Sequence, residues 1–182
     1  MFKANCSLDA VESIVSERLE LRPMSVDVLD ALLDGEETGL EIPGDWPDDH
    51  DRRFLELRRA ELRARPDLLG WFVYAVVLGD EMLGHAGFHG PPGRNARSDR
   101  DAVEVGYMIF PPYRGRGYAT EAARALIEWA RAKHGIRRFL FSIPPENGPS
   151  LAIARKLGFT EVGRHWDEAD QCDELEFELR LE

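Results

Sequence analysis

The spacing of apolar and polar positions changes several times along the chain, and each change marks an element. In "SERLELRPM", Ser16 to Met24, Leu19 and Leu21 alternate with charged residues, the period-two pattern of a half-buried strand. Ser25 precedes "VDVLDALLD" at the position where a side-chain oxygen caps a short helix. "GLEIPGDWPDD" has the composition of a loop. "HDRRFLELRRAELRAR" reads as a highly charged helix carrying Phe54, Leu55, Leu57 and Leu62 and ending at Pro66. Leu69 to Gly90 has the form of a β-hairpin: a continuous apolar arm, suited to burial on both faces, then Gly79-Asp80 as the turn. "PPGRNARSDRD" is a long polar connection, and "AVEVGYMIF" is a strand stopped by Pro111 and Pro112. From Ala119 the small and apolar residues Ala122, Ala123, Leu126, Ile127 and Ala130 form a helical face, which ends at Gly135. "RRFLFSI" is a further strand, "NGPSLAIARKLG" a helix closed by Gly158, and "FTEVGRHW" and "ELEFELRL" two final strands. The order β-α-α-β-β-β-α-β-α-β-β predicts an α/β fold, one mixed sheet with helices on its faces. It also predicts one domain over residues 16–182 behind an N-terminal extension, residues 1–15.

Composition narrows the classes without choosing a function. The chain has 182 residues, 43% apolar and 31% charged, enough for one domain with a real core. No apolar run approaches the roughly 18 residues of a membrane span, and "MFKANCSLDAVES" has no apolar segment or cleavage site of a secretory signal. Cys6 and Cys172 lie far apart and outside any C-x-x-C, so neither a disulfide framework nor a zinc site is expected, and the cytoplasm is the expected compartment. The formal net charge of −11 weighs against nucleic-acid binding, which needs a basic face to displace counterions. The acidity concentrates in "DGEETGLEIPGDWPDDHD", Asp34 to Asp51, and "DEADQCDELEFE", Asp167 to Glu178. Solubility accounts for both runs, and more readily for the second.

The most informative stretch is "PPYRGRGYATEA", Pro111 to Ala122, a glycine-bearing turn between a strand and a helix. The first amides of a helix have no intrahelical partners and sit at the positive end of its dipole, so this context suits a phosphate. Gly115 and Gly117 allow the backbone to approach a bulky anion, and Arg114 and Arg116 add charge from the sides. No lysine follows as a nucleotide-triphosphate loop requires, and Thr120 stands where a dinucleotide-binding loop needs its third glycine.

Arg114-x-x-Gly117-x-Ala119 resembles the R/Q-x-x-G-x-G/A signature of the GNAT (GCN5-related N-acetyltransferase) superfamily. "ERLELRP", "EVGYMIFPPYRGRGYATEAARALIEWA" and "ENGPSLAIARKLGFTEVG" are similar to the branch that acetylates ribosomal-protein N-termini, so the resemblance spans Glu17 to Gly163. It implies a mostly antiparallel sheet splayed between its fourth and fifth strands, with the pantetheine arm of acetyl-CoA in the gap. It further implies that loop amides hold the pyrophosphate, and that a bulge on "AVEVGYMIF" frees the amide of Met108 or Ile109 for the developing oxyanion. The expected acetyl-CoA contacts are Met108, Ile109, Phe110, Arg114, Gly115, Arg116, Gly117, Tyr118, Ala119, Thr120 and Asn147. No metal is expected.

Acetyl transfer to an amine needs a proton acceptor, an oxyanion site and a donor for the leaving thiolate. Glu104 lies on the opposite strand face from Val103, Val105, Tyr107 and Ile109. A carboxylate within an apolar strand is desolvated, which would raise its pKa toward a useful value. It is the expected base, acting through water as in similar enzymes; its structural alternative is an ion pair with Arg100 or Arg138. Many relatives carry a tyrosine three residues before the "LGF" element, where this chain has Ala154. Ser150 is the substitute donor, with Tyr107 and Tyr118 in reserve, although Ser150 could equally be a helix-start residue bonding to backbone. Asn147 caps that helix, bonds the pantetheine amides, or does both. His85 and His89 share a strand face without a third ligand at metal spacing, and His89 could line the substrate mouth. The cysteines fall outside the motifs, so direct transfer in a ternary complex is expected rather than an acetyl-cysteine route.

The acceptor is a small-molecule or peptide amine. Acidic residues 34–51, with Trp46 and Ile42, form one wall of its mouth in the family and would attract a cation. Deprotonating a lysine-like amine at pH 7 costs about 4.6 kcal/mol, against about 1 for an α-amino group. A basic peptide N-terminus or an aminoglycoside combines a modest amine pKa with a second positive charge. Neither nucleic acid nor membrane is an expected partner, and a homodimer is compatible with the sequence. The competing class is a non-catalytic module that binds acyl-CoA, to which Ala154 gives the only support.

Overall fold

The computed structural model describes residues 11–44, 46–168 and 171–182. Cys6, Asp45 and most of the expected N-terminal extension lie outside them. The sheet begins with β1 (Ile14–Val15) and β2 (Glu20–Pro23), which pair antiparallel, Ile14 opposite Leu21. This corrects the single strand expected from Ser16. The Ser16 N–H donates to the carbonyl of Leu19 at 2.9 Å and the Ser16 hydroxyl accepts from the Leu19 amide at 3.1 Å, which closes a turn instead. Ile14 enters the core.

Two helices follow. Ser25 caps α1 (Val26–Asp34), accepting from Val28 N–H, and Asp48 caps α2 (Asp49–Ala64), accepting from the amides of His50 and Asp51. The buried face of α2 is Leu55, Arg58 and Leu62, whereas Leu57 is exposed. A 3₁₀ turn at Pro66–Trp71 leads into the hairpin of β3 (Val73–Leu78) and β4 (Glu81–Phe88), joined by Gly79-Asp80 as expected. β5 (Ala102–Ile109), α3 (Tyr118–His134), β6 (Arg138–Ile143), α4 (Gly148–Lys156), β7 (Thr160–Asp167) and β8 (Cys172–Arg180) complete the chain. Among the described residues eight strands lie in the order β1-β2-β3-β4-β5-β6-β8-β7, and of these only β5 and β6 are parallel neighbours.

Each sheet face has its own core. One packs β-strand residues such as Val103, Val105 and Phe141 against Ala122, Leu126 and Ala130 of α3 and Ala154 of α4. The other packs Val73, Ala75 and Val77 against Leu29 and Leu32 of α1 and Leu55 and Leu62 of α2. Each large apolar side chain fully removed from water contributes about 1.5–3 kcal/mol, so both faces are firmly covered. The parallel pair is short: Ala102, Val103 and Glu104 match Arg138, Phe139 and Leu140, and pairing ends there. Beyond Glu104 the two strands diverge, so the sheet splays between β5 and β6. These are the fourth and fifth strands of the sequence reading, renumbered by the added β1.

Candidate active site

The splay is lined from three directions. Tyr107, Met108 and Ile109 of β5, the turn from Tyr113 to Thr120, and Asn147, Pro149, Ser150 and Ile153 around the start of α4 enclose a cleft of about 540 Å³. Met108, Ile109, Arg114, Gly115, Gly117, Tyr118, Ala119, Thr120, Asn147 and Ser150 therefore come together. Two of the expected contacts do not join them. Phe110 is buried in the core beneath α1 and α2, its amide bonded to the Leu83 carbonyl. Arg116 lines a separate groove with Arg18, Arg124 and Lys156.

The turn has the geometry an anion requires. Gly115 and Gly117 have φ of +77° and +83°, a left-handed conformation that side chains disfavour, and Gly117 is the N-cap of α3 without any side-chain cap. The first bond of the helix runs from Glu121 N–H to the Gly117 carbonyl. The amides from Gly115 to Thr120 have no hydrogen-bond partner among the described residues. Arg114 turns back, its Nε donating to the Ile109 carbonyl at 2.7 Å. These residues fit the pyrophosphate of acetyl-CoA: backbone donors converge at a helix N-terminus with no side chain in the way.

β5 offers its own backbone groups differently from expectation. No bulge interrupts it: β4 and β5 pair in register from Phe88 opposite Val105 to Gly84 opposite Ile109. His89 N–H bonds the Glu104 carbonyl and Phe110 N–H bonds the Leu83 carbonyl. The even-numbered residues of β5 thus face β4; of the odd-numbered amides, that of Val105 still meets the end of the parallel ladder, and those of Tyr107 and Ile109 face the gap. Departure of β6, rather than a bulge, leaves them without a ladder partner, and the alternation selects Ile109 over Met108.

At the other wall, Asn147 caps α4, its Oδ1 accepting from Ser150 N–H at 3.1 Å. The Tyr107 hydroxyl is buried without a hydrogen bond of normal geometry; Ser150 is its polar neighbour, and burial pushes the phenol pKa up. Ala154 is fully buried on the core face of α4.

Glu104 sits on the opposite sheet face, 1% exposed. Its Oε2 accepts from Ala96 N–H at 2.7 Å and its Oε1 from the Ser142 hydroxyl at 2.5 Å. It has no arginine partner among the described residues, since Arg138 is engaged by Asp99, Asp101 and Glu178. The polar connection before β5 supplies the Ala96 amide. Asn95 pins that connection, donating from Nδ2 to the carbonyls of Asp99 and Ala102 and accepting from the amides of Arg97 and Asp99.

A second cavity, of about 400 Å³, opens beside Glu104. Arg58, His89, Arg94, Asn95 and Ala96 form one side, and His165, Trp166, Asp167, Glu168 and Glu174 the other. Arg58 and Arg94 share the single carboxylate of Glu61 and lie over the Phe72 ring. The acidic wall thus comes from β7 and β8, the run whose charge looked like mere solubility. His165, Asp167 and Glu174 bring ligand-type atoms within 4.8 Å of one another, with the imidazole between Glu174 and Glu176. That grouping depends on strand pairing, which sequence spacing does not reveal. Among described residues of the earlier acidic segment, none lines either cavity. Asp48 caps α2, Asp51 faces His85 at 3.8 Å, and Trp46 packs on Phe110. His85 stacks on Phe54 and lines neither cavity.

Residues 18–160 match the acetyltransferase (GNAT) domain family. The N-acetyltransferase YjdG of Bacillus subtilis, itself uncharacterized, is 28% identical over 163 residues, 83% of this chain and 94% of its own. A GNAT-family acetyltransferase from Bacillus anthracis superposes with a TM-score of 0.65 at 21% identity, covering 93% of this chain and 98% of its own. RimL, a ribosomal L7/L12 α-N-protein acetyltransferase solved with coenzyme A, gives the same TM-score at 23% identity over 93% and 98%. With a splayed sheet, a glycine turn of unpartnered amides and this sequence match, the chain belongs to the GNAT acetyltransferase family.

Proposed function

We propose that this protein transfers an acetyl group from acetyl-CoA directly to a primary amine, with a peptide N-terminus or a small polyvalent amine such as an aminoglycoside as acceptor. The observation that carries the reading is the pair of cavities on either side of β5. One presents unpartnered amides suited to pyrophosphate; the other is acid-lined and suited to an amine. The thioester would lie along the unpaired part of β5, where the Ile109 amide can stabilise charge on the carbonyl oxygen. Glu104, buried beside the second cavity, supplies the negative charge that favours removal of the amine's proton. Tyr107 and Ser150 stand together at the cleft to pass a proton to the departing sulfur, the phenol coming from β5 because α4 has Ala154. The similarity to RimL supports a peptide N-terminus, and the absence of a cysteine pairing pattern supports a cytoplasmic site of action.

A screen of acetyl-CoA turnover over amine classes, read as free thiol release, tests this. At least one class should give steady release that depends on amine concentration. Tight acetyl-CoA binding without turnover on any amine would instead support a silent acyl-CoA-binding module.

A further inference from the structure

We infer that His89 is the base that meets the acceptor amine, with Glu104 as the positioning residue behind it; this rests on the acetyltransferase reading above. The first ground is enclosure. The Glu104 carboxylate is almost wholly buried, and its two oxygens are occupied by the Ala96 amide and the Ser142 hydroxyl. The carboxylate is thus already committed to the protein's own donors.

The second ground is the placement of the imidazole. His89 Nδ1 lies 3.5 Å from Glu104 Oε2, while the side chain is half-exposed to the acid-lined cavity. Its Nε2 sits over Gly106, 3.3 Å from where a Cβ on that residue would stand. Gly106 is two residues further along β5, roughly 7 Å toward Tyr107 and the open splay. The ring therefore carries a basic atom from the buried carboxylate toward the reacting end of the strand, and glycine leaves space for it. Main-chain bonds fix the ring's origin: His89 N–H donates to the Glu104 carbonyl at 2.9 Å, and Arg58 donates to the His89 carbonyl at 3.4 Å.

Charge agrees with the role. Burial is the largest influence on His89 and lowers its pKa from the ordinary 6.5; Arg58 of α2 and Arg94 act in the same direction, while Glu104 of β5 and Asp167 of β7 oppose them. The net shift is downward, so the ring is neutral at pH 7, as a base must be. A proton on Nδ1 facing Glu104 leaves the Nε2 lone pair toward the cavity.

The chemistry then balances. Nε2 takes one proton from the ammonium, and the freed nitrogen lone pair forms the C–N bond to the acetyl carbonyl carbon. As the C–S bond breaks, the nitrogen's second proton passes through the Tyr107 and Ser150 hydroxyls to sulfur. The imidazolium returns its proton to solvent, giving amide, thiol and one released proton.

The test combines turnover with histidine NMR. His89→Gln should keep acetyl-CoA affinity by calorimetry, lower kcat by about 10²–10⁴-fold, and abolish the fall of kcat/KM on the acid side. Glu104→Gln should move the His89 titration midpoint lower, because the charge that raises it is gone. The double variant should be no slower than the worse single one, as for groups acting in one relay. Gly106→Ala, which crowds Nε2, should lower kcat without changing the KM for acetyl-CoA, and serves if His89→Gln does not fold. Wild-type turnover and an intact acid limb in His89→Gln would overturn the inference, as would a His89 midpoint indifferent to Glu104→Gln. A wild-type protein that acetylates no amine overturns the parent reading as well, and is thereby distinguished from failure of the variants alone.

Discussion

At the scale of single residues, backbone conformation does as much as side-chain chemistry. Gly117 is the N-cap of α3 at φ +83°, ψ 0°, and its neighbourhood is open apart from the Arg18 guanidinium. Valine there would force a β-branched residue into the left-handed region and place methyl groups where the pyrophosphate must approach. Gly117→Val is predicted to weaken acetyl-CoA binding by at least tenfold, about 1.4 kcal/mol, with wild-type affinity by calorimetry as the contrary result. These glycines were legible because a strand, a turn and a helix in succession fix which amides lack partners. Phe110 and Arg116 were not, because the direction of a side chain in a turn depends on what packs around it. His89 was legible only as a residue near the mouth; its role rests on Gly106 across the ladder and on Glu104 behind the ring, and neither spacing shows in sequence.

At the scale of elements, the site exists because two strands pair for three residues and then part. Periodicity identified both strands and the helices that flank them, since burial on one face imposes period 2 or 3.6. It could not show that β4 and β5 stay in register, because a bulge and a diverging neighbour both leave amides free. It also missed the β1–β2 turn, where one serine hydroxyl decides the geometry. That turn is tied to the first turn of α3: Glu121 accepts from the Ser16 hydroxyl at 2.8 Å and from Arg18 N and Nε at 2.7 Å. Burial raises the Glu121 pKa, but the bonds from Ser16 and Arg18 outweigh it and leave the carboxyl below its ordinary 4.5. A depressed folded-state pKa stabilises above the unfolded value and is lost as pH falls through the folded one. Glu121→Gln is therefore predicted to lower Tm by about 2–4 °C at pH 7 and to cost nothing at a pH low enough to protonate the wild-type carboxyl in the folded state. Thermal melts at the two pH values decide it; an equal loss at both would mean the bonds, not the charge, carry the effect.

At the scale of the whole molecule, a net charge of −11 is distributed so that its placement in the fold differs from its sequence pattern. Two acidic runs look alike on paper. The fold engages the first as a helix cap, a histidine neighbour and exposed surface, and turns part of the second, Asp167, Glu168 and Glu174, into a cavity wall. Opposite stand Arg58 and Arg94 with one carboxylate between them, so the cavity is polarised, anionic toward β7 and cationic toward α2. An acceptor with a second positive charge would be held by the β7 side while its reactive amine reached His89. Such attraction acts mostly on encounter and fades within a Debye length, about 10 Å at 0.1 M salt. We predict that kcat/KM for a dicationic amine falls about tenfold as salt rises from low to high, while a matched monocationic amine changes less. Glu168→Gln should remove much of that difference, and Glu36→Gln with Glu37→Gln should leave it intact. If salt affects both amines alike, or if the first acidic run governs the difference, the β7 wall plays no part in selecting the acceptor.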